Sequence, residues 1–247
     1  MKFIKITNPY LTGVNGASES KPHSDLVIMH AWSDFQWRFV QLRMFLQELQ
    51  EHTSKIDKRV YLELLGMKIR IPALGLKNED KEALKRNRFQ VERMLGQLGV
   101  IMLVSIIEYS CKDFCEALQK KMNLQLKWNE LKGNPLTRFR IYFEKVGNIP
   151  LIILNEDWQY ILAIDRLRNT FAHSLGEVRE EDRKTLETLA STNKGLQLTD
   201  GYVYANMEFT HEAIDKAQRI IGVCVGRIGQ PEVDKMMSQF RKTISKA

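Results

Sequence analysis

Three residues suited to phosphoryl-transfer chemistry lie close together between Arg168 and His173. The segment has the sequence Arg-Asn-Thr-Phe-Ala-His, so Arg168, Asn169 and His173 fall within about two turns of a helix. A histidine with an ordinary pKa of about 6.5 can exchange a proton with an RNA hydroxyl, and an arginine can hold a phosphate through two oxygens. Asn169 would orient the imidazole or the substrate. These three residues are our candidate catalytic groups, and their chemistry needs no metal.

The same three residues also suit a purely structural role. Arginine, asparagine and histidine near the end of a helix can cap carbonyl groups and interact with the negative end of the dipole. In addition, Arg168 and His173 are separated by roughly 140° around a helix. Within one protomer the two side chains can therefore meet only if the long arginine side chain extends toward the histidine. Composition and spacing alone favour the structural role.

The helix that carries this segment has two distinct faces. Asn155-Glu156-Asp157 predicts its start and Gly176 its end. The stripe predicted to face the core consists of Ile161, Ile164, Leu167, Phe171 and Leu175. A second stripe contains Trp158, Leu162, Arg166, Asn169 and His173. Because this second stripe begins with apolar residues, it predicts a homodimer through Trp158, Leu162, Asn169 and His173, with both copies of His173 in one cleft.

Four other charged residues are candidates for supporting or RNA-binding roles. Glu108 ends the apolar run 100–107, where it is either an exposed or locally paired carboxylate, or a group that orients the arginine. Arg138 and Arg140 alternate with aromatic residues on a short helix, which indicates either an RNA-facing surface or a solvated face. Arg166 lies next to the candidate catalytic residues and is a third candidate for RNA binding.

The segment from Arg166 to His173 resembles the signature of the HEPN superfamily, in which an arginine, a polar residue and a histidine close a late helix. The apolar helix reaching Tyr109, the short basic helix ending at Gly147 and the hairpin before the last helix are similar to the wider HEPN layout, over about residues 85–228. The resemblance implies an all-α bundle that dimerises around the motif. In active members it implies metal-independent RNA cleavage that leaves a cyclic phosphate.

Carried over to this chain, the resemblance makes Arg168 and His173 catalytic and Asn169 supporting. Family members often act in toxin–antitoxin pairs or in defence against phage, which would make an antitoxin protein a partner. Other HEPN proteins are non-cleaving binding modules. The leading prediction is therefore a HEPN-type endoribonuclease with RNA as its substrate, and the alternative is a non-catalytic dimeric scaffold or regulator.

The fold class predicted from the sequence is an all-α helical bundle with one small β-hairpin near the C-terminus. Asp200-Gly201 between two alternating runs predicts the turn of that hairpin. Residues 1–77 are predicted to be an N-terminal extension whose long amphipathic helix, starting near Ser24, packs on the bundle. Residues 78–247 are predicted to be the HEPN-like helical domain.

Local signals predict the bounds of several elements. One helix should run from Asn78 to about Met122, and Asn134-Pro135 should open a short helix that ends at Gly147 in the left-handed C′ position. Residues 56–77 lose the apolar period and contain Gly66, Pro72 and Gly75, which predicts a connection with short extended pieces around residues 67–71. Thr210 is predicted to cap a last helix that continues through Ile228.

Composition restricts the class of protein and its partners. The chain has 247 residues, 44% of them hydrophobic, which suits a folded core and argues against disorder. A net charge of +7 favours polyanionic partners. The longest apolar run, 100–107, is too short to span a membrane, and the N-terminus lacks a signal peptide, so a cytoplasmic location is expected.

No metal or other cofactor is predicted. Cys111 and Cys115 lie one helical turn apart without a second ligand pair, so core packing is favoured over a metal site. A nucleotide-binding module finds little support as a third function. The one glycine-rich candidate, Gly96-Gln97-Leu98-Gly99, lies inside a predicted helix and no lysine follows it.

Overall fold

The computed structural model describes residues 24–69, 78–149, 151 and 155–223. These residues form six α-helices and one two-stranded antiparallel hairpin. The elements are α1 (Ser24–Ile69), α2 (Asn78–Met122), α3 (Pro135–Ile141), α4 (Asn155–Ser174), α5 (Glu180–Thr192), β1 (Leu196–Thr199), β2 (Tyr202–Ala205) and α6 (residues 207–223). The predicted fold class, an all-α bundle with a small hairpin near the C-terminus, is confirmed.

Helix α1 packs antiparallel along α2. Arg38 of α1 pairs with Asp113 near the end of α2, at 2.6 Å between Nη2 and Oδ2, whereas Leu46 lies against Gly99 nearer its start. Phe35 and Phe39 are fully buried in the cluster that also contains core residues of α2 and α4. The apolar seam of α1 is therefore part of the bundle core, while the predicted domain boundary at residue 77 lies outside the described residues.

Helix α1 is longer than the sequence analysis predicts. A connection is expected over residues 56–77, but the backbone remains helical to Ile69. The stretch contains no proline before Pro72, and the single Gly66 costs a helix only about 1 kcal/mol. The extended piece predicted near residues 67–71 is therefore wrong for residues 67–69, and residues 70–77 lie outside the described part of the chain.

Helix α2 is the central element of the bundle and has the predicted bounds. Val100, Leu103, Val104 and Ile107 are buried against its neighbours. Within the described residues, the stretch Phe89–Met122 is long and apolar enough to cross a membrane by length and composition alone. A buried core helix meets the same criterion, so the expected absence of a membrane span stays a prediction.

Helix α3 begins as predicted. The side chain of Asn134 accepts a hydrogen bond from the backbone of Thr137, and Pro135 occupies the first turn. The chain continues through a π-helical turn, Tyr142–Val146, to Gly147. Gly147 itself has a right-handed φ of −81°, and Asn148 takes the left-handed value of 50°, so the predicted C′ role of Gly147 is wrong. A Cβ at Gly147 would lie 2.7 Å from a methyl group of Leu118, which makes close packing the reason for glycine.

The hairpin forms at the predicted Asp200-Gly201 turn, where both residues have positive φ. Val203 and Ala205 point into the core, which leaves the alternate residues of β2 on the outer face. Ala205 packs directly on Gly96 of α2, where a Cβ would overlap its carbonyl oxygen. The hairpin is thereby fixed to α2 and also borders the segment that follows α4.

Helix α6 starts earlier than predicted. It is helical from residue 207, and the side chain of Asn206 accepts a hydrogen bond from the backbone N–H of Phe209 at 3.0 Å. Asn206 is therefore the capping residue, and the predicted capping role of Thr210 is wrong. The Thr210 hydroxyl is instead buried and donates to the carbonyl of Gly96 at 3.0 Å. The predicted end of this helix at Ile228 lies outside the described residues.

The contact between Gly96 and Ala205 generates a stability prediction. Gly96→Ala should lower the free energy of unfolding by roughly 1–3 kcal/mol, because the added methyl group displaces the hairpin backbone. Alanine is the better helix former by about 1 kcal/mol, so a gain in stability would contradict this packing. Urea denaturation measures the difference. Ser105→Ala, on the exposed side of the same helix, is the control and should change stability by about 0.5 kcal/mol or less.

Candidate functional site

Helix α4 carries all three candidate catalytic residues, but it presents them to different surroundings. Arg168 and Asn169 are half-buried, and His173 is exposed in the last turn. Most of the predicted core stripe is buried, including Ile164 and Leu167. Leu175 is the exception at 84% exposure, because the helix ends at Ser174 and a left-handed φ of 52° turns the chain away from the core.

The guanidinium of Arg168 is held by two carboxylates. Its Nη2 atom donates to Oε1 of Glu108 at 2.6 Å and to Oδ1 of Asp165 at 2.9 Å. Its Nε atom is buried without a hydrogen-bond partner. Among the described residues, Nη1 makes no hydrogen bond either. The side chain is therefore fixed through one nitrogen and retains unused N–H donors.

Asp165 links this arginine to the start of α3. Its carboxylate is nearly inaccessible to solvent, and its second oxygen accepts a long hydrogen bond of 3.4 Å from the amide nitrogen of Asn134. The amide oxygen of Asn134 caps α3 by accepting from Thr137 at 2.8 Å. The ion cluster of Glu108, Arg168, Asp165 and Asn134, hereafter the Arg168 cluster, therefore joins α2, α3 and α4.

The Arg168 cluster contains one cation and two carboxyl groups. Burial raises the pKa of Glu108, the Arg168 guanidinium opposes that rise, and the neighbouring Asp165 carboxylate adds to it. The raised pKa indicates that desolvation and repulsion between the carboxylates together outweigh the attraction of the arginine. Glu108 therefore takes up a proton more readily than an ordinary glutamate, and uptake removes the excess negative charge around Arg168.

In the structure Arg168 is bonded to Glu108 but not to His173. No hydrogen bond or ion pair in the described part of the chain joins the histidine to the arginine. Five residues along a helix separate the two side chains by roughly 140° around its axis. A site that uses both residues must therefore be completed by the substrate or by a second copy of α4.

The apolar start of the second stripe has a partner within the same chain. Trp158 is only 4% exposed and stacks on Phe139 of α3, with ring centroids 6.5 Å apart. Leu162 is partly buried against the core. The expectation that Trp158 is open to a second protomer is therefore wrong, because α3 covers it. Of the predicted dimer face, His173 is exposed and Asn169 is half-buried.

The three arginines predicted to bind RNA differ in their pairing. Arg166 bonds to Asp182 at 3.1 Å, and Arg140 bonds to Glu144 at 3.2 Å. Arg138 makes no ion pair with the described residues; its guanidinium lies 5.7 Å from the ring centre of Trp128. A paired arginine must give up a carboxylate to bind phosphate, which Arg138 need not do among the described residues, but its Nε atom is buried. Their role in RNA binding stays a prediction.

The candidate metal ligands are dispersed or buried. No group of three or more histidine, cysteine, aspartate or glutamate residues in the described segments could hold a metal ion. Cys111 and Cys115 are buried within the core, and burial raises the pKa of the Cys115 thiol. The Cys115 thiol is not suited to nucleophilic chemistry, because burial disfavours its thiolate form.

Two members of the Arg168 cluster were missed by the sequence analysis as site residues. Asp165 precedes Arg168 by three positions, a spacing that favours an ion pair on a helix, and it interrupts an apolar stretch. That combination was the available signal. Asn134 was predicted only as a helix cap, and nothing in the local sequence indicates that its amide nitrogen reaches α4.

Comparisons with protein-family models, with curated proteins and with solved structures give no match for this chain. The resemblance to HEPN proteins therefore stays a prediction from the segment 166–173 and from the order of the surrounding elements.

The raised pKa of Glu108 generates a prediction for stability against pH. The folded state binds the proton of Glu108 more readily than the unfolded state, so acidification should stabilise the parent relative to Glu108→Gln. This advantage is lost as the pH rises through the folded-state pKa. Melting temperatures of both proteins across the mildly acidic range measure the difference.

A matched variant separates this effect from a general loss of negative charge. Glu116→Gln removes a carboxylate from the same helix at a position outside the Arg168 cluster. A parent that loses stability on acidification relative to Glu108→Gln would contradict the raised pKa, as would a difference that does not change with pH.

Proposed function

We propose that this protein is a metal-independent endoribonuclease of the HEPN type, acting in a toxin–antitoxin pair or in phage defence. One observation carries the proposal: an exposed histidine, His173, lies at the end of the same helix on which Arg168 is held in a fixed position by two carboxylates. Such a pair supplies a proton-transfer group and a phosphate-binding cation. The net charge of +7 favours an RNA substrate.

In the proposed reaction, one His173 takes the proton from an RNA 2′-hydroxyl. The 2′-oxygen then forms a bond to the adjacent phosphorus while the bond to the 5′-oxygen breaks. A second His173, from the partner protomer, gives a proton to the leaving 5′-oxygen. The products are a 2′,3′-cyclic phosphate and a free 5′-hydroxyl, and no metal or redox step is needed.

Arg168 would stabilise the negative charge that develops on the phosphate. Because Nη2 is occupied by Glu108 and Asp165, the N–H groups of Nη1 are the donors available to a non-bridging oxygen. The carboxylates keep the guanidinium in place, which reduces the entropy lost when the phosphate binds. Asn169 lies between the two groups in sequence and would orient the imidazole or the ribose.

A second candidate function is a non-catalytic dimeric scaffold or regulator. The observation that favours it is the charge balance of the Arg168 cluster, in which two carboxylates already compensate the arginine. A structural clamp between α2, α3 and α4 would account for these residues without any chemistry. This candidate predicts that the protein binds its partner without turnover.

Both candidate functions, the endoribonuclease and the scaffold, include a homodimer. With Trp158 covered, the surface around His173 is the part of α4 through which two protomers would meet. Leu175, two positions beyond His173, exposes 84% of its surface and offers an apolar contact at this place. Contact near Leu175 would bring the two copies of His173 toward each other.

Cleavage of mixed RNA in the presence of EDTA tests the endoribonuclease. The parent should produce fragments that end in a cyclic phosphate. His173→Ala should cleave about 100- to 10,000-fold more slowly, the range typical for loss of a general acid or base. Arg168→Lys should also be strongly impaired, because lysine keeps the charge but loses the planar fork.

The control for this experiment is His30→Ala, which removes an exposed histidine from α1. It should cleave at the parent rate. If His173→Ala or Arg168→Lys cleaves as fast as the parent, the catalytic assignment is wrong. If even the pure parent gives no cleavage while the protein forms a stable complex with RNA or protein, the scaffold is the better description.

Sedimentation of the parent and Leu175→Asp tests the dimer. Aspartate tolerates the left-handed backbone at this position, so the variant should fold normally. It should weaken self-association about tenfold or more, because a charge replaces an apolar side chain at the contact. Leu126→Asp changes an exposed leucine outside this surface and should leave the dimer intact. A parent that sediments only as a monomer would exclude the composite site.

A further inference from the structure

Four side chains form a stacked column at the hairpin, beside the end of α4. The guanidinium of Arg93 lies 3.8 Å from the ring centre of Phe89 and 3.7 Å from that of Tyr204, so it is sandwiched between two aromatic rings. The ring of Tyr204 in turn stacks on Tyr202, with centroids 6.4 Å apart and planes 24° from parallel. The order of the column is Phe89, Arg93, Tyr204, Tyr202.

Both ends of this column are open to solvent. Phe89 is 45% exposed and Tyr202 is 39% exposed. The inner members are held by the fold, because β2 alternates between the core and the outer face and Ala205 is packed on α2. Two aromatic rings with accessible surface, each stacked on an inner member of the column, are suited to stack with flat, apolar ligands.

The column borders the candidate catalytic helix. Tyr202 forms a backbone bridge with Glu177, and the N–H of Val178 donates to the carbonyl of Gly201 at 2.8 Å. Glu177 is four positions beyond His173, so the chain between them spans at most about 14 Å. A short strand of nucleic acid that reaches His173 can therefore also reach Tyr202.

We propose that this aromatic column is a stacking platform for unpaired bases of a single-stranded RNA substrate. Bases in a single strand expose their faces, whereas a duplex buries them between neighbouring pairs. Glu177 and Asp200 are exposed acidic residues near the turn, so attraction of phosphates is weak there and ring stacking dominates. The inference rests on the proposed function, and it assigns single-stranded rather than duplex RNA as the substrate class.

Binding of a fluorescent single-stranded oligoadenylate tests the platform. The measurement uses His173→Ala in EDTA, so that the RNA stays intact. Adding Tyr202→Ala or Phe89→Ala should weaken binding about tenfold each, the loss typical of one base–aromatic stack. Tyr202→Phe keeps the ring and should bind within about twofold of the parent affinity. The losses should persist at high salt, because stacking does not depend on counterion release.

Tyr109→Ala is the matched control, since Tyr109 is a 52% exposed aromatic residue with an arginine over its ring but lies elsewhere on α2. It should bind oligoadenylate as the parent does. If Tyr202→Ala or Phe89→Ala has a lowered melting temperature, Tyr202→Trp is used in place of that variant. The fluorescence of the added indole should then be quenched by RNA, and an unquenched signal would overturn the platform.

Three results would contradict the inference. The first is unchanged affinity for single-stranded RNA in Tyr202→Ala and Phe89→Ala. The second is an equal loss of affinity for duplex RNA of matched sequence. The third is a change in oligomeric state with unchanged RNA affinity, which would make the column a protein-binding surface.

The test of the stacking platform can fail or succeed independently of the test of the endoribonuclease. Ring-dependent binding without cleavage by the parent would support the platform and refute the endoribonuclease. Cleavage by the parent, together with RNA binding that does not depend on the two rings, would support the endoribonuclease and refute the platform.

Discussion

The pairing of Arg168 with Glu108 and Asp165 is the interaction on which the arrangement of the central helices depends. It joins α2 to α4 across sixty positions of sequence, and Asn134 extends it to the start of α3. Two carboxylates around one guanidinium leave the cluster with an excess of negative charge, which burial makes costly. The pKa of Glu108 is raised because of this cost. Any function assigned to Arg168 has to operate within this constraint.

Helix α4 is held in place along its middle and is accessible to solvent in its last turn. Its middle is fixed by core packing and by the Arg168 cluster, while its last turn carries His173 into solvent. The left-handed residues that follow the helix then direct the chain to the hairpin, which is anchored on Gly96. Arg168 thus lies in the fixed middle of α4, whereas His173 and the segment that borders the hairpin lie at its C-terminal end.

Local signals predicted most helix boundaries because each depends on a few neighbouring residues. Asn78 starts α2, Asn134-Pro135 starts α3, and Asp200-Gly201 forms the turn. The predictions that failed needed more than local information. The continuation of α1 past residue 56 shows that weak apolar periodicity does not end a helix that lacks proline. The stripe alone places Trp158 on a dimer face, because a stripe does not say which neighbouring helix of the same chain covers it.

The sequence by itself determined the helical class, the hairpin turn and the placing of Arg168, Asn169 and His173 on one helix, since these follow from residue types at short range. Only the tertiary structure decided that Glu108 meets Arg168, that Asn134 reaches Asp165, and that Arg93 lies between Phe89 and Tyr204. Contacts of this kind join segments far apart in the chain. They depend on how helices and strands pack side by side, and no periodicity or capping signal within one segment records that packing.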